Sequence, residues 1–222
     1  MQFMLILSVA AMFALMLTRC KKYNIPLLKT SIIVPLLAVL GVLSTILLYF
    51  IENGEWDGMS FFGAVLFLPI IFSPIAKLFR IPIPCMLDFI APPGLIMFAV
   101  MKINCAISGC CGGIILGYKE NGKAIQFPSP IVEAITTILL VCILLYFEHK
   151  GKTKDKLYPI SLVSYGVLRF ILNFLREPGK ALLFGMQKGT VWSLVAIISG
   201  LLWLFIIAYI NLDKKYKNAI KQ

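Results

Sequence analysis

Seven apolar runs, at about residues 2–18, 31–51, 61–76, 82–101, 130–147, 158–176 and 190–211, leave this chain few ways to fold. Runs of this length match the hydrocarbon core of a bilayer, where every backbone N–H and C=O must find a partner inside the segment, so each is expected to be a membrane-crossing helix. The third is the shortest and is broken by Pro69 and Pro74. Sixty per cent hydrophobic residues and a mean hydropathy of +0.92 exclude an ordinary soluble domain. The fold class expected is therefore an all-α integral membrane protein with seven transmembrane helices, forming a single domain over residues 1–222. The first run lacks a basic leading segment and a small-residue cleavage site, and basic residues follow it, so it reads as a retained span rather than a secretory signal.

The net charge of +11 is distributed in short clusters between the runs, which points to membrane orientation rather than to nucleic acid. One set of alternate connections holds Arg19, Lys21, Lys22 and Lys29, then Lys77 and Arg80, then Lys150, Lys152, Lys154 and Lys156, then Lys214, Lys215, Lys217 and Lys221. These are fourteen of the 21 lysines and arginines. By the positive-inside rule that side is cytoplasmic, with the N-terminus outside and the C-terminus inside. His149, the one histidine, falls there, in the hydrophilic stretch EHKGKTKDK, and reads as a solvated residue.

The sixth run, PISLVSYGVLRFILNFLREP, carries Arg169, Asn173 and Arg176. An arginine within hydrocarbon costs roughly 2.5–3.5 kcal/mol on insertion scales, so such residues face a protein interior or a wet cavity. Spacings of i, i+4 and i+7 put the three polar groups on one face of a continuous helix, able to hold an anionic headgroup. The alternative for Arg176 is a snorkelling anchor at the interface.

The opposite, outer side holds the chemically distinctive segments. ENGEWDGMS, with Glu52, Glu55 and Asp57, reads as a solvated loop. A glycine-rich connection follows Met101, covering about residues 102–128, and ends at Ser129, expected to be the N-cap of the fifth helix with Pro130 in its first turn. Glu133 then falls in that first turn, where it either serves the site or only complements the helix dipole. Lys102, Glu133, Arg169 and Arg176 share one depth near the outer leaflet. Cations with one orienting carboxylate at headgroup level suit an anionic phospholipid. No disulfide framework is expected, since Cys85 and Cys142 lie in apolar runs and Cys20 in a basic loop. Cys105, Cys110 and Cys111 lack a fourth metal partner on the same side, so no metal is expected there. A redox pair, a lipid-accepting Cys110 and plain packing remain as readings of that cluster.

Five segments resemble the prolipoprotein diacylglyceryl transferase family in the right order. GMSFFGAVLF at 58–67 resembles its GMSFHGG region, and DFIAPPGLIMFAVMKINCAISGCCGG at 88–113 aligns without gaps to the stretch ending in GRIGNFINGE. FPSPIVEA at 127–134 is similar to YPSQLYEA, GVLRFILNFLREP at 166–178 to GLxRFxxEFxREP, and GTVWSLVAIISG at 189–200 to the closing QWLSL helix. Asp88, Gly109, Gly113, Pro128, Ser129, Glu133, Arg169 and Arg176 are retained. Phe62 stands where the family has histidine, Lys102 where it has arginine, Cys105 and Ser108 where it has asparagines, and Cys110 and Asn173 where it has glutamates. The phosphate-holding residues survive, whereas the proton-handling ones are altered.

The resemblance implies transfer of the diacylglyceryl group of phosphatidylglycerol to the lipobox cysteine thiol of a prolipoprotein, releasing glycerol phosphate, in the cytoplasmic membrane of a bacterium and near its outer leaflet. Arg169, Lys102, Glu133 and Cys110 are the catalytic candidates. Arg169, Arg176, Lys102, Asn173, Ser108, Gly109, Gly113 and Gly63 are the candidates for holding the headgroup. No cofactor is implied, the chain is expected to act as a monomer, and the partners are phospholipid and prolipoprotein. The rival reading is a non-catalytic or repurposed homologue that binds phospholipid or lipoprotein without transfer.

Overall fold

The computed structural model describes residues 2–109, 111–119, 121, 123–177, 181–183 and 185–220. Seven helices follow the seven apolar runs: α1 (Gln2–Tyr23), α2 (Leu27–Asn53), α3 (Phe61–Leu78), α4 (Ile83–Ser108), α5 (Ser129–His149), α6 (Leu157–Asn173) and α7 (Lys188–Ile220). Six are long and apolar enough to cross a bilayer; α6, at 17 residues, is the short one. Two small antiparallel hairpins complete the described elements: β1 (Ile115–Tyr118) with β2 (Ala124–Gln126), and β3 (Ala181–Leu183) with β4 (Met186–Gln187). The protein is a multi-pass membrane protein, with exposed Ile, Leu and Phe side chains around its helices.

Short connections make neighbouring helices antiparallel, and their ends are set by local chemistry. Gly54 closes α2 in the left-handed region at φ 76°, and its N–H donates to the Phe50 carbonyl at 2.7 Å. Pro82 precedes α4, and Ile83–Pro84 open it, where a missing proline N–H has no cost. The most buried helix is α4, which packs against α1, α3, α5 and α6 and places Met86, Leu87, Phe89 and Ile90 in the core.

Prolines inside helices are tolerated here because other helices take up the carbonyls they free. Pro92 has no N–H for the Asp88 carbonyl, and Arg19 Nη2 donates to that oxygen at 2.7 Å. Pro69 likewise frees the Val65 carbonyl in α3, which accepts the Tyr158 hydroxyl from α6 at 2.7 Å. Each substitute bond joins two helices that an intrahelical bond would not have joined.

At the basic end these bonds converge on a buried polar cluster. Arg19 Nη1 donates to Glu148 Oε2 at 2.6 Å, Tyr23 Oη donates to Glu148 Oε1 at 2.6 Å, and Lys22 Nζ donates to the Glu148 carbonyl at 2.6 Å. Asp88 Oδ1 accepts the backbone N–H of Tyr158 at 2.8 Å, satisfying an otherwise orphaned donor in the first turn of α6. The cluster ties α1, α4, α5 and α6 together. At the other end Lys188 of α7 reaches Asn53 Oδ1 at the end of α2.

Four expectations shift. Helix α4 runs through Ser108, so Lys102 and Cys105 are helical and the connection begins at Gly109, seven residues later than expected. The helix α5 includes Ser129, and Pro128 is its cap, its carbonyl accepting the N–H groups of Ile131 and Val132, both at 3.1 Å. Glu133 therefore lies in the second turn rather than the first. Finally, α6 ends at Asn173, so Arg176 does not continue the helical stripe of Arg169 and Asn173.

Arg19→Met leaves the Glu148 carboxylate and the Asp88 carbonyl buried without their partner. A destabilisation of about 3–5 kcal/mol is expected, read as a lowered unfolding midpoint in mild detergent. Arg19→Met with Glu148→Leu should lose less than the sum of the two single variants.

Candidate functional site

The other end of the bundle holds a second buried charge cluster, built on Glu133. This carboxylate is only 1% exposed. Arg169 Nη1 of α6 lies 2.6 Å from Oε2, and Lys102 Nζ of α4 lies 3.1 Å from the same oxygen. The Tyr165 hydroxyl donates to Oε1 at 3.4 Å. Tyr165 and Arg169 are four residues apart, hence stacked on one face of α6. Three helices thus converge on one side chain.

The charges do not balance within this group: two cations share one carboxylate. A net positive charge taken out of water is costly unless an anion joins it. The close Arg169–Glu133 approach also lacks hydrogen-bond alignment, leaving Arg169 Nη1 and Glu133 Oε2 without a directed partner among the described residues. The group is left one negative charge short, a deficit that a monoanion with acceptor oxygens, such as a phosphodiester, would offset.

Aromatic rings wall the cluster. Phe61 stacks on Phe98 with centroids 3.6 Å apart, and both meet Tyr165 edge-on at 5.4 and 5.5 Å. Lys102 Nζ sits 5.0 Å from the Phe98 ring centroid, one helical turn away, which holds the ammonium over the ring face. Phe62, buried, lies 6.0 Å from Tyr165, so the position where the family motif has histidine is filled by a ring.

A glycine-rich segment closes over this end by pairing with the chain just after α6. Ile114 N–H donates to the Leu175 carbonyl at 3.2 Å, Glu177 N–H to the Gly112 carbonyl at 3.3 Å, and Gly113 bridges to Arg176. Gly113 has to be glycine, since a Cβ there would sit 2.2 Å from the Phe127 carbonyl oxygen. Arg176, half-buried, is therefore carried by this pairing and not by α6.

Of the residues singled out from the sequence, Lys102, Glu133 and Arg169 come together. Asn173 is buried but turns toward α7, where its amide nitrogen donates to Thr190 Oγ1 at 3.3 Å. Gly63 is a packing position: a Cβ would lie 2.1 Å from the Ser44 carbonyl oxygen of α2. Ser108 and Gly109 are exposed at the end of α4, where Gly109 takes φ 65° as its cap. Cys105 lies half-buried in the last turns of α4 and Cys111 half-buried in the segment beyond it. Cys110 lies outside the described residues. Tyr165 was missed, although its place four residues before Arg169 was a usable signal.

Fold and site define a polytopic membrane protein with a buried, net-cationic centre at one end of its helix bundle. Residues 2–206 match the prolipoprotein diacylglyceryl transferase family, and the chain belongs to it. Curated relatives named phosphatidylglycerol–prolipoprotein diacylglyceryl transferase include one from Acinetobacter baumannii (strain ACICU), 30% identical over 187 residues, covering 72% of this chain and 66% of the relative. Another, from Campylobacter curvus, is 29% identical over 176 residues, covering 74% and 63%. A third, from Mannheimia succiniciproducens, is 29% identical over 166 residues, covering 69% and 62%. The chain thus spans just under two thirds of the length of each of these relatives.

Glu133→Gln leaves Lys102 and Arg169 facing one another without a counter-charge, and a loss of about 3–5 kcal/mol of stability is expected. Adding Lys102→Met removes one of the two cations and should restore part of the unfolding midpoint. A Glu133→Gln protein as stable as the wild type contradicts the shared-carboxylate arrangement.

Proposed function

We propose that this protein transfers the diacylglyceryl group of phosphatidylglycerol to the lipobox cysteine thiol of a prolipoprotein, releasing glycerol phosphate. The observation that carries the reading is the buried Lys102–Glu133–Arg169 group, which has one more positive than negative charge. Its family and the names of its relatives supply the reaction.

The chemistry follows from charge. The substrate sulfur attacks the glyceryl carbon that bears the phosphate, a C–S bond forms, the C–O bond breaks, and its electron pair leaves on the phosphate oxygen. Arg169 and Lys102, already fixed by Glu133, stabilise that developing negative charge without reorganising. Both cations also favour the thiolate over the thiol of the incoming cysteine. Glu133 takes the thiol proton and passes it to the departing phosphate, while the Tyr165 hydroxyl steadies the other carboxylate oxygen. Arg176, on the paired segment above, belongs to the headgroup side of the site together with Gly113. The site faces the outer leaflet of a bacterial cytoplasmic membrane, as the lysine and arginine distribution supports. The N-terminus is then outside, and the chain works as a monomer without a cofactor.

A second reading, a homologue that holds phospholipid or lipoprotein without transfer, is favoured by Phe62, whose ring fills the histidine position of the family motif and leaves one proton carrier fewer.

The deciding assay is mass spectrometry of a lipobox-bearing precursor peptide after incubation with the purified protein and phosphatidylglycerol. A diacylglyceryl adduct on the cysteine is expected. Its absence from a folded, lipid-binding sample supports the second reading. Arg169→Ala should lower the rate about 10²–10³-fold, the loss typical for one donor aimed at a developing anion. Cys110→Ser should retain most of the activity, and a loss of that same size would assign the thiol a covalent part.

A further inference from the structure

The hairpin of β1 and β2 presents large apolar side chains to its surroundings. Ile115, Leu116, Tyr118 and Ile125 are 51%, 60%, 69% and 42% exposed, although the two strands are only four and three residues long. A two-stranded hairpin with free edges is marginal by itself in water, and exposed aliphatic side chains on it call for cover. Its base is nevertheless firmly set. Phe127 N–H donates to the Ile114 carbonyl at 2.9 Å and Ile114 N–H to the Leu175 carbonyl at 3.2 Å, while at the far end Lys119 N–H donates to the Lys123 carbonyl at 2.9 Å.

The place where the hairpin is rooted decides what covers it. Six residues separate it from the end of α4 at Ser108, and two from the start of α5 at Ser129, and both helices are long and apolar enough to cross a bilayer. Exposed isoleucines continue to those helix ends, Ile107 on α4 and Ile131 on α5, so hydrocarbon reaches close to this level. A strand of four residues is about 13 Å long, against a headgroup layer of about 5–7 Å, so the hairpin starts inside that layer. The connection between its strands, KENGK, has two lysines to one glutamate, and Lys119 and Lys123 are exposed. An aliphatic body, a tyrosine and flanking lysines suit a segment lying at a membrane interface.

We propose that the β1–β2 hairpin docks on the lipid surface, with Ile115, Leu116 and Ile125 at the hydrocarbon boundary and Lys119 and Lys123 among anionic headgroups. Gly113, just before β1, bridges to Arg176, so docking also sets the height of that arginine. A peptide added to a free strand edge would use backbone groups and leave the aliphatic side chains uncovered, which favours lipid as the partner. The proposal does not depend on the reaction catalysed, so the two fail separately.

The test uses the full chain in vesicles, with an environment-sensitive fluorescent amino acid in place of Leu116 or, as the control on the same hairpin, of exposed Asn121. Quenching is measured with phosphatidylcholine brominated near the top of its chains and with aqueous iodide. Brominated lipid is expected to quench position 116 severalfold more than position 121, and iodide the reverse. In vesicles containing phosphatidylglycerol, Lys119→Glu with Lys123→Glu should lower the lipid quenching at 116 severalfold, and in phosphatidylcholine alone it should change little. Equal iodide quenching at both positions, with no effect of brominated lipid, overturns the proposal. So does shielding of position 116 that appears only when the precursor peptide is added, which would assign the hairpin to peptide. Unchanged quenching in the double lysine variant overturns the contact with anionic headgroups.

Discussion

One carboxylate organises the functional end of this protein. Glu133 is buried, and Arg169 and Lys102 both press on the same oxygen, at 2.6 and 3.1 Å. Neither cation would remain in a low-dielectric interior without it, and with it the group is still short of one negative charge. The imbalance would be offset by an anion and not by a cation. It also explains why three helices, α4, α5 and α6, meet at this level, since each contributes one charge that it could not bury alone.

The basic end obeys the same physics with the opposite result. There Arg19 donates to Glu148 and to the Asp88 carbonyl and Tyr23 donates to Glu148, with only Arg19 Nε of the guanidinium left without a partner among the described residues. The proline that freed that carbonyl becomes a reason for α1 to bind α4. Breaking a helix in a membrane exposes a carbonyl that has no water to turn to, so a partner helix must supply the donor. Tyr158 does this for Val65 in α3 and thereby sets the position of α6. Because α6 also carries Tyr165 and Arg169, the bonds at the basic end hold the Glu133 group in register.

Much of this was legible in the residues. Hydrophobic runs located all seven helices, and an arginine in the middle of one pointed to a buried charge that needs a partner, because burial of charge is expensive enough to be seen without coordinates. Lys102, Glu133 and Arg169 were each singled out, and the three come together. Less legible was anything that depends on where a helix stops. The stripe through Arg176 assumed that the helix continues past Asn173, where it ends, and Glu133 was placed one helical position too early because Pro128 rather than Ser129 caps α5. Asn173 shares the helix face of Arg169 but finds Thr190 of α7, a tertiary contact that periodicity does not reveal. Glu148 looked like part of a solvated loop until α1 supplied its arginine.

The departures from the family motifs take on physical meaning at the same site. Phe62 joins a cluster of rings around Tyr165, so an apolar wall stands at that position, and Lys102 sits over the Phe98 ring. Apolar surroundings strengthen the grip on an anion. The most direct measurement of that grip is native mass spectrometry of the protein released from mixed vesicles of phosphatidylglycerol and phosphatidylcholine. The wild type should retain phosphatidylglycerol selectively, and the triple variant Arg169→Ala, Lys102→Met, Glu133→Gln, which removes all three charges together, should lose the selectivity while remaining folded. Equal retention of the two lipids by the wild type would contradict the net-cationic site on which the account rests.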